Sequence, residues 1–301
     1  MDRLEAMQQF VRVAELGSFS AVAQQQGIAR SIVTRHVAAL ESHLGTQLIA
    51  RSTRRLSLTS AGNDYLEKCR VILNLVEAAE SGAAAERQVP RGRIRLSIPL
   101  TYGRRYLGPL LLEFVRLYPE VSLDVDFMDR RSNLIEEGMD LAVRITMQLE
   151  PGTVARRLGK TRLLVVASPE YLGRHGEPRH PEELIHHECL AYTGTSNPGH
   201  WEFFVDGRPQ SFPIRSRLQA NNGEALVDAA IAGFGIAAGP EFMVDRALSA
   251  GQLRQTLTQH ALAVAGIYGV LPSHRHVPHR VRALLDFIAE RLAQSPAYHT
   301  A

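Results

Sequence analysis

Apolar positions recur at helical spacing through the first part of the chain and change to period two beyond residue 90. Leu4, Met7, Val11 and Ala14 are three, four and three residues apart and predict one buried stripe on a helix over 2–15. Gly17 is expected to end that helix. Ser20 is the expected cap of the next, where Ala21 and Ala23 permit close packing, and Gly27 supplies a tight turn. A third helix carries Val33, Val37, Leu40 and Leu44 as its buried stripe and stops at Gly45. Arg30 and Ser31 open it, and Ser31, Thr34, Arg35 and Ala38 fall on the side opposite the stripe. Short polar groups beside an arginine, on the exposed face of a helix that follows a turn, suit the major groove of DNA. Segments 47–50 and 56–58 predict the two strands of a small wing. Arg51, Arg54 and Arg55 at its tip are expected to meet phosphates or enter the minor groove.

Thr59 is positioned to cap a long helix without proline or a strong breaker until Gly82, extending to about residue 86. Tyr65, Cys69, Ile72, Val76, Ala79 and Ala83 are spaced four, three, four, three and four, a heptad seam. Such a seam serves either a partner helix or packing on the chain's own domain. About 27 residues at 1.5 Å each span about 40 Å, enough to hold two copies of the front module apart. The segment 88–92, with Pro90 and Gly92, has the composition of a hinge.

Beyond it Ile94, Leu96 and Ile98 alternate, as do Val121, Leu123, Val125 and Phe127, with helices expected over 107–118 and 134–137. Strands are expected at 140–145, 162–168, 234–238 and 267–271, and helices at 223–233 and 277–293. The alternation predicts an α/β fold with a largely parallel sheet.

A chain of 301 residues holds two or three units. There is no apolar run of 18 residues to cross a membrane, and acidic and basic residues interrupt the N-terminus, which is not a signal peptide. Cys69 and Cys189 lie in different regions and suggest no disulfide framework, which fits a cytoplasmic protein. The net charge is +3, with 32 arginines and two lysines, Lys68 and Lys160. Residues 30–59 hold five arginines against one acid, Glu41, and this local excess of four speaks for phosphate contact more than the total does.

Residues 3–62 resemble the DNA-binding domain of LysR-type transcriptional regulators. The resemblance rests on Gly17-Ser18-Phe19-Ser20-Ala21-Val22-Ala23 in the second helix, Thr34-Arg35-His36-Val37-Ala38-Ala39-Leu40-Glu41 in the third, and Leu58-Thr59-Ser60-Ala61-Gly62 after the wing. Where the family often opens the third helix with Ser-Gln, this chain has Ala29-Arg30. Losing the capping serine weakens the helix start by about 1 kcal/mol. Replacing glutamine by arginine exchanges an adenine reader for a guanine reader, so the family's base preference does not transfer. Leu48-Ile49-Ala50-Arg51 stands for Leu-Phe-x-Arg, a core exchange.

The later half is similar to the family's effector-binding domain through Asp140-Leu141-Ala142-Val143-Arg144, Ala167-Ser168-Pro169-Glu170-Tyr171-Leu172, residues 221–226, and Ala232-Gly233-Phe234-Gly235-Ile236-Ala237. The resemblance implies an N-terminal all-α winged helix-turn-helix with a linker helix, then an α/β two-lobed domain like type 2 periplasmic binding proteins. The expected domains are 1–59, 60–87 and 88–301, with lobe one at 91–161 and 267–301 and lobe two at 162–266. It further implies a homodimer or homotetramer on double-stranded DNA, pairing through the seam helix, with a small-molecule effector and no other cofactor or metal. RNA polymerase is left open as a partner.

Effectors in such folds sit between the lobes, where helix N-termini favour anions. Thr101 and Tyr102 between a strand and a helix, Arg144 and Thr146 after a strand, Thr193 and Thr195 in a loop, and Asn221 are the candidate contacts, and the effector is expected to be an anion such as a carboxylate. An enzyme and a free-standing solute receptor are the rival readings. His186-His187-Glu188-Cys189 and His274, His276 and His279 lack a zinc spacing, and no nucleophile elbow, P-loop or dinucleotide fingerprint is present. The front module argues against a free-standing receptor.

Overall fold

The computed structural model of the protein describes residues 2–51, 56–82, 89–129, 134, 137–195, 197–205, 207–272 and 277–294, excepting the side chains of 51, 74 and 77–82. Two compact units emerge, one built on Met1–Val89 and the other on most of the remainder.

In the first unit, α1 (Arg3–Leu16), α2 (Phe19–Gln26) and α3 (Arg30–Leu44) precede β1 (Ile49–Arg51), β2 (Leu56–Leu58) and the long α4 (Ser60–Gly82). The strands form an antiparallel pair in the register Ile49 with Leu58 and Arg51 with Leu56. Ala6, Phe10, Val13, Val22, Val33, Val37, Leu40, Leu48, Leu66 and Cys69 make one core. Val11 of the expected stripe joins this core, and Met7 and Ala14 pack against it. Because α1 packs on α2, α3 and α4 together, Ala6, Phe10 and Val13 are buried as well, and of the stripe only Leu4 is turned out, at 38% exposure. Leu44 in the last turn of α3 is also exposed, not buried, because the core ends at Leu40 and Glu41. The cap of α2 is Ser18, whose extended backbone lets Oγ accept the Ala21 N–H at 3.3 Å, whereas Ser20 lies inside the helix.

The second unit opens with β3 (Gly92–Ile98) and a helix of three parts: α5 (Leu100–Tyr102), a π-helical turn (Gly103–Leu107) and α6 (Gly108–Leu117). Thr101 and Tyr102, expected between a strand and a helix, thus stand in the first helical turn after β3. Next come β4 (Val121–Phe127), β5 (Leu141–Thr146), β6 (Val154–Thr161), β7 (Leu163–Ala167), α7 (Pro169–His175), a 3₁₀ segment (Pro181–His186) and β8 (Glu188–Tyr192). A hairpin of β9 (His200–Val205) and β10 (Arg208–Pro213) precedes β11 (Arg215–Ala220), α8 (Gly223–Ile231), β12 (Ile236–Pro240), α9 (Glu241–Ser249) and β13 (Arg254–Thr256). β14 (Ala265–Leu271) and α10 (His279–Gln294) close the order. The helix expected at 134–137 falls partly outside the described residues, and its described ends, Leu134 and Glu137, are in turns.

Two five-stranded sheets result, ordered β4-β3-β5-β14-β6 and β11-β8-β12-β7-β13. Both are mixed, which corrects the expectation of a largely parallel sheet. β3 is parallel to β4 and β5, but β14 runs antiparallel to β5 and β6. β8 is parallel to β11 and β12, but β7 runs antiparallel to β12 and β13. The reason is connectivity: the chain passes from sheet one to sheet two along β6 and β7 and returns along β13 and β14, so the crossing strands oppose their neighbours. Ile94, Leu96 and Ile98 in β3 and Leu141 and Val143 in β5 are fully buried in the first lobe. Both faces of the second sheet are covered, one by Tyr171, Trp201, Phe203 and Phe212, the other by Leu226, Val227, Ala230 and Val244.

Candidate DNA interface and lobe junction

The turn between α2 and α3 uses Gly27 at φ 66°, a left-handed conformation that costs glycine little. Ala29 then occupies the cap position of α3 with no side-chain hydrogen bond, as the exchange of serine for alanine implies. Val33, Val37 and Leu40 turn into the core, which leaves Arg30, Ser31 and Arg35 exposed and Thr34 and Ala38 half-buried. The Thr34 hydroxyl donates to the Arg30 carbonyl at 3.0 Å. The backbone of Arg51 ends β1, while its side chain, with Arg54 and Arg55, lies outside the described residues.

Two groups hold the root of the wing. The buried Glu41 carboxylate accepts the backbone N–H groups of Leu48 at 2.9 Å and Ile49 at 3.1 Å. Thr59 donates its hydroxyl to the Gln47 carbonyl at 2.7 Å and accepts from the Gly62 N–H at 2.9 Å, so it caps α4 as expected.

Along α4 the seam divides. Tyr65 packs on Phe10 with ring centroids 5.9 Å apart, and Cys69 is fully buried in the module's own core. Burial, then the Cys69 charge, pushes Tyr65 up to about 12, and burial pushes the Cys69 thiol to about 11. These two positions pack on their own chain, because the N-terminal half of α4 forms a wall of the module. Farther along, Ile72 and Leu75 are exposed at 37% and 38%, and Val76 is half-buried. The Ala79 side chain and all of Ala83 lie outside the described residues.

Where the two lobes meet, Tyr102 packs on Phe242 of α9 at 5.2 Å and on Tyr106 at 5.0 Å. With 3% of its surface exposed, Tyr102 joins the lobes. The π-helical turn carries Arg105, whose guanidinium donates to both Asp245 carboxylate oxygens, at 2.9 and 2.7 Å, and to the Phe242 carbonyl. Thr101 is buried at the start of α5. The first N–H of that helix, on Leu100, donates to Asp129 at 3.0 Å. Tyr192, at the end of β8, is raised to about 12 by burial and then by the Asp129 charge. Arg144 donates to the fully buried Ser97 hydroxyl at 3.0 Å and to the Val143 carbonyl at 3.2 Å.

Of the other candidates, Thr146 and Thr195 are engaged within their own turns. Thr146 exchanges bonds with Gln148, the Thr195 hydroxyl donates to the Tyr192 carbonyl at 3.3 Å, and the Thr193 N–H donates to the Ala220 carbonyl at 2.9 Å. Asn221 is exposed, and its neighbour Asn222 caps α8. Sequence reasoning missed Ser97, Arg105, Asp129 and Tyr192. Asp129 and Tyr192 end or follow strands, a signal available in the chain; Arg105 and Ser97 carry none. The histidine run has structural work: His187 meets the Tyr171 hydroxyl at 3.3 Å, and burial, then the charge of His175, holds it below the usual imidazole range. His274 and His276 lie outside the described residues, and His279 opens α10.

A family model described as the bacterial regulatory helix-turn-helix protein, lysR family, matches residues 4–63, and one described as the LysR substrate binding domain matches 87–293. The chain is a LysR-type transcriptional regulator. This LysR-type regulator is 35% identical over 292 residues to the regulator CrgA of Neisseria meningitidis serogroup C, with 97% of each chain covered. It is 37% identical over 287 residues to a helix-turn-helix regulator of Xanthomonas campestris, covering 94% of this chain and 83% of that one. Among solved structures, CrgA superposes with a TM-score of 0.58 at 34% identity over 95% of this chain and 98% of the other. The virulence activator AphB of Vibrio cholerae gives 0.58 at 28% identity with the same coverage. The regulator thus joins a DNA-binding helix-turn-helix to a two-lobed α/β regulatory domain. Both matched domains are regulatory, and it is not an enzyme.

Proposed function

We propose that this regulator reads operator DNA with α3 and the wing, and that a small molecule held at the lobe junction biases that binding. The carrying observation is the face of α3 opposite Val33, Val37 and Leu40, which leaves Arg30, Ser31 and Arg35 exposed just after a turn. Arg30, Ser31, Thr34, Arg35 and Ala38 enter the major groove in this reading, and Arg51, Arg54 and Arg55 meet phosphate. The working boundaries are 1–59 for the DNA-binding domain, 60–87 for the linker and 88–301 for the sensor. A footprint of the DNA upstream of its own gene, repeated with Arg35→Ala, tests the reading. Equal protection by variant and parent would sink it.

The effector half of the proposal rests on Thr101, Ser97, Arg144, Asp129 and Tyr192 gathered at strand ends and a helix start. Asp129 already holds the first N–H of α5, so an anionic effector is drawn to Arg144 and not to that helix end. Isothermal titration of the full chain with a panel of small carboxylates checks this half, and no heat from any of them would reject the acid class. Self-association is proposed through the exposed part of α4 around Ile72, Leu75 and Val76, continued by Ala79 and Ala83. A monomer in sedimentation would reject it.

A further inference from the structure

We infer that Glu41 is the positioning residue of the wing, acting on DNA through the arginines at 51, 54 and 55 without touching DNA itself. The inference rests on the reading that those arginines meet phosphate. Glu41 sits near the C-terminal end of α3, where the aligned carbonyls disfavour an anion, and it is buried. A carboxylate in that place needs compensation. The Leu48 and Ile49 N–H groups, both at hydrogen-bond distance from its Oε1, supply it. The Glu41 backbone carbonyl also accepts from Thr46 at 3.2 Å. One residue therefore ties the recognition helix to the whole turn that leads into β1.

The wing needs such a tie. It is a two-stranded sheet of three residue pairs, too small to hold its own orientation in water. Its far strand is tied back to the same anchored residue, since the Thr59 N–H donates to the Leu48 carbonyl at 3.0 Å. Leu48 and Ile49 also keep their side chains in the core at 1% and 3% exposure. Loss of the carboxylate therefore frees the aim of the hairpin while leaving the module folded. Arg51 lies only two residues beyond the anchored Ile49 N–H, so its backbone direction follows that bond.

The test uses the full-length protein and a short duplex of mixed sequence, with affinity measured from low to moderate salt. Each phosphate contact to duplex DNA contributes about 0.9 to the slope of log affinity against log salt. Glu41→Ala is expected to weaken binding about ten-fold at low salt and to lower the slope by about 2 per module. A loss of fold alone reduces the active fraction and leaves that slope at the parent value. Glu41→Gln keeps an acceptor oxygen and is expected to stay within about three-fold of the parent. Glu41→Met, which keeps the volume without an acceptor, replaces Glu41→Ala if the latter does not fold. In an Arg51→Gln, Arg54→Gln, Arg55→Gln background, removing the carboxylate is expected to change affinity by less than about two-fold. A parent slope in Glu41→Ala or Glu41→Met, or multiplicative effects in that background, overturns the inference. A parent slope in the triple variant itself would instead overturn the phosphate reading of the wing.

Discussion

Gly62 is the position at which one added methyl group has the clearest consequence. It lies in the first turn of α4, and a Cβ built there would stand 2.0 Å from the Leu48 carbonyl oxygen and 2.9 Å from its carbon. Ordinary carbon–oxygen contact begins near about 3.3 Å, so the two must separate by more than about 1 Å. The oxygen is not free to move, because it accepts the Thr59 N–H at 3.0 Å and the Thr59 hydroxyl at 3.3 Å. Overpacking of this kind costs about 1–3 kcal/mol, and a broken hydrogen bond adds about 1. Alanine's better helix propensity returns about 1 kcal/mol. The net for Gly62→Ala is a loss of about 1–3 kcal/mol, confined to the DNA-binding unit. Native-state hydrogen exchange of the full chain reads it directly. The amides of Val33, Val37 and Leu40 should exchange about 5- to 150-fold faster, with those of β3 and β5 unchanged. Gly173→Ala in α7 is the control, because nothing lies within 4 Å of its added Cβ. Unchanged or slower exchange in α3 of Gly62→Ala would refute the steric reasoning.

Ala29→Ser should restore the missing cap of α3 and stabilise the module by about 0.5–1 kcal/mol in urea unfolding, with no gain if the backbone there is not cap-like. Arg35→Ala should cost about 1–3 kcal/mol of operator affinity in gel shift while leaving effector titration unchanged. Cys69 and Cys189, raised by burial to about 11 and about 12 from 9.0, should resist iodoacetamide until the protein is unfolded. Since both folded values exceed the unfolded one, their contribution to stability is intact below pH 9.0. It is lost above that value, by about 1.4 kcal/mol per pH unit and per thiol, as pH rises toward the folded values. A flat denaturation midpoint from pH 8.5 to about 10 would contradict this. Arg105→Ala removes the fork on Asp245 and should change effector affinity while leaving binding of mixed-sequence DNA at the parent level; unaltered effector affinity would show that the lobes do not depend on it.

Period and punctuation made much of this fold legible. The stripe Val33, Val37 and Leu40 and the caps at Gly17, Gly27, Gly45 and Thr59 are local signals, and the structure carries each of them. Alternation in β3 and β4 was equally plain, but alternation does not state direction. The mixed sheets follow from the crossing of β6 into β7 and of β13 into β14, which is a property of tertiary connectivity. The stripe of α1 is right for Met7, Val11 and Ala14 but misses Ala6, Phe10 and Val13, because a helix packed on three others buries a wider arc than one spacing rule picks out. At the lobe junction the local signals were weaker. Thr101 is buried there, whereas Thr146 and Thr195 look the same in sequence and are satisfied within their own turns.

Glu41 and Arg105 show why the remainder was hidden. Each is a charged residue on a helix, and the default reading of such a residue is a solvated face. Each instead reaches a backbone group of another element: Glu41 the N–H groups that begin the wing, Arg105 the Phe242 carbonyl of α9. Arg105 and its acid, Asp245, are 140 residues apart, a separation at which no spacing rule operates. Both residues also sit at joints, one between recognition helix and wing, the other between sensor lobes. Neither joint is held by its charged side chain alone: Thr59 also ties the wing root, and Tyr102 packs on Phe242 beside Arg105. An apolar contact of the same area has no direction. Charge at these two places therefore adds a directional contact to joints that apolar packing also holds.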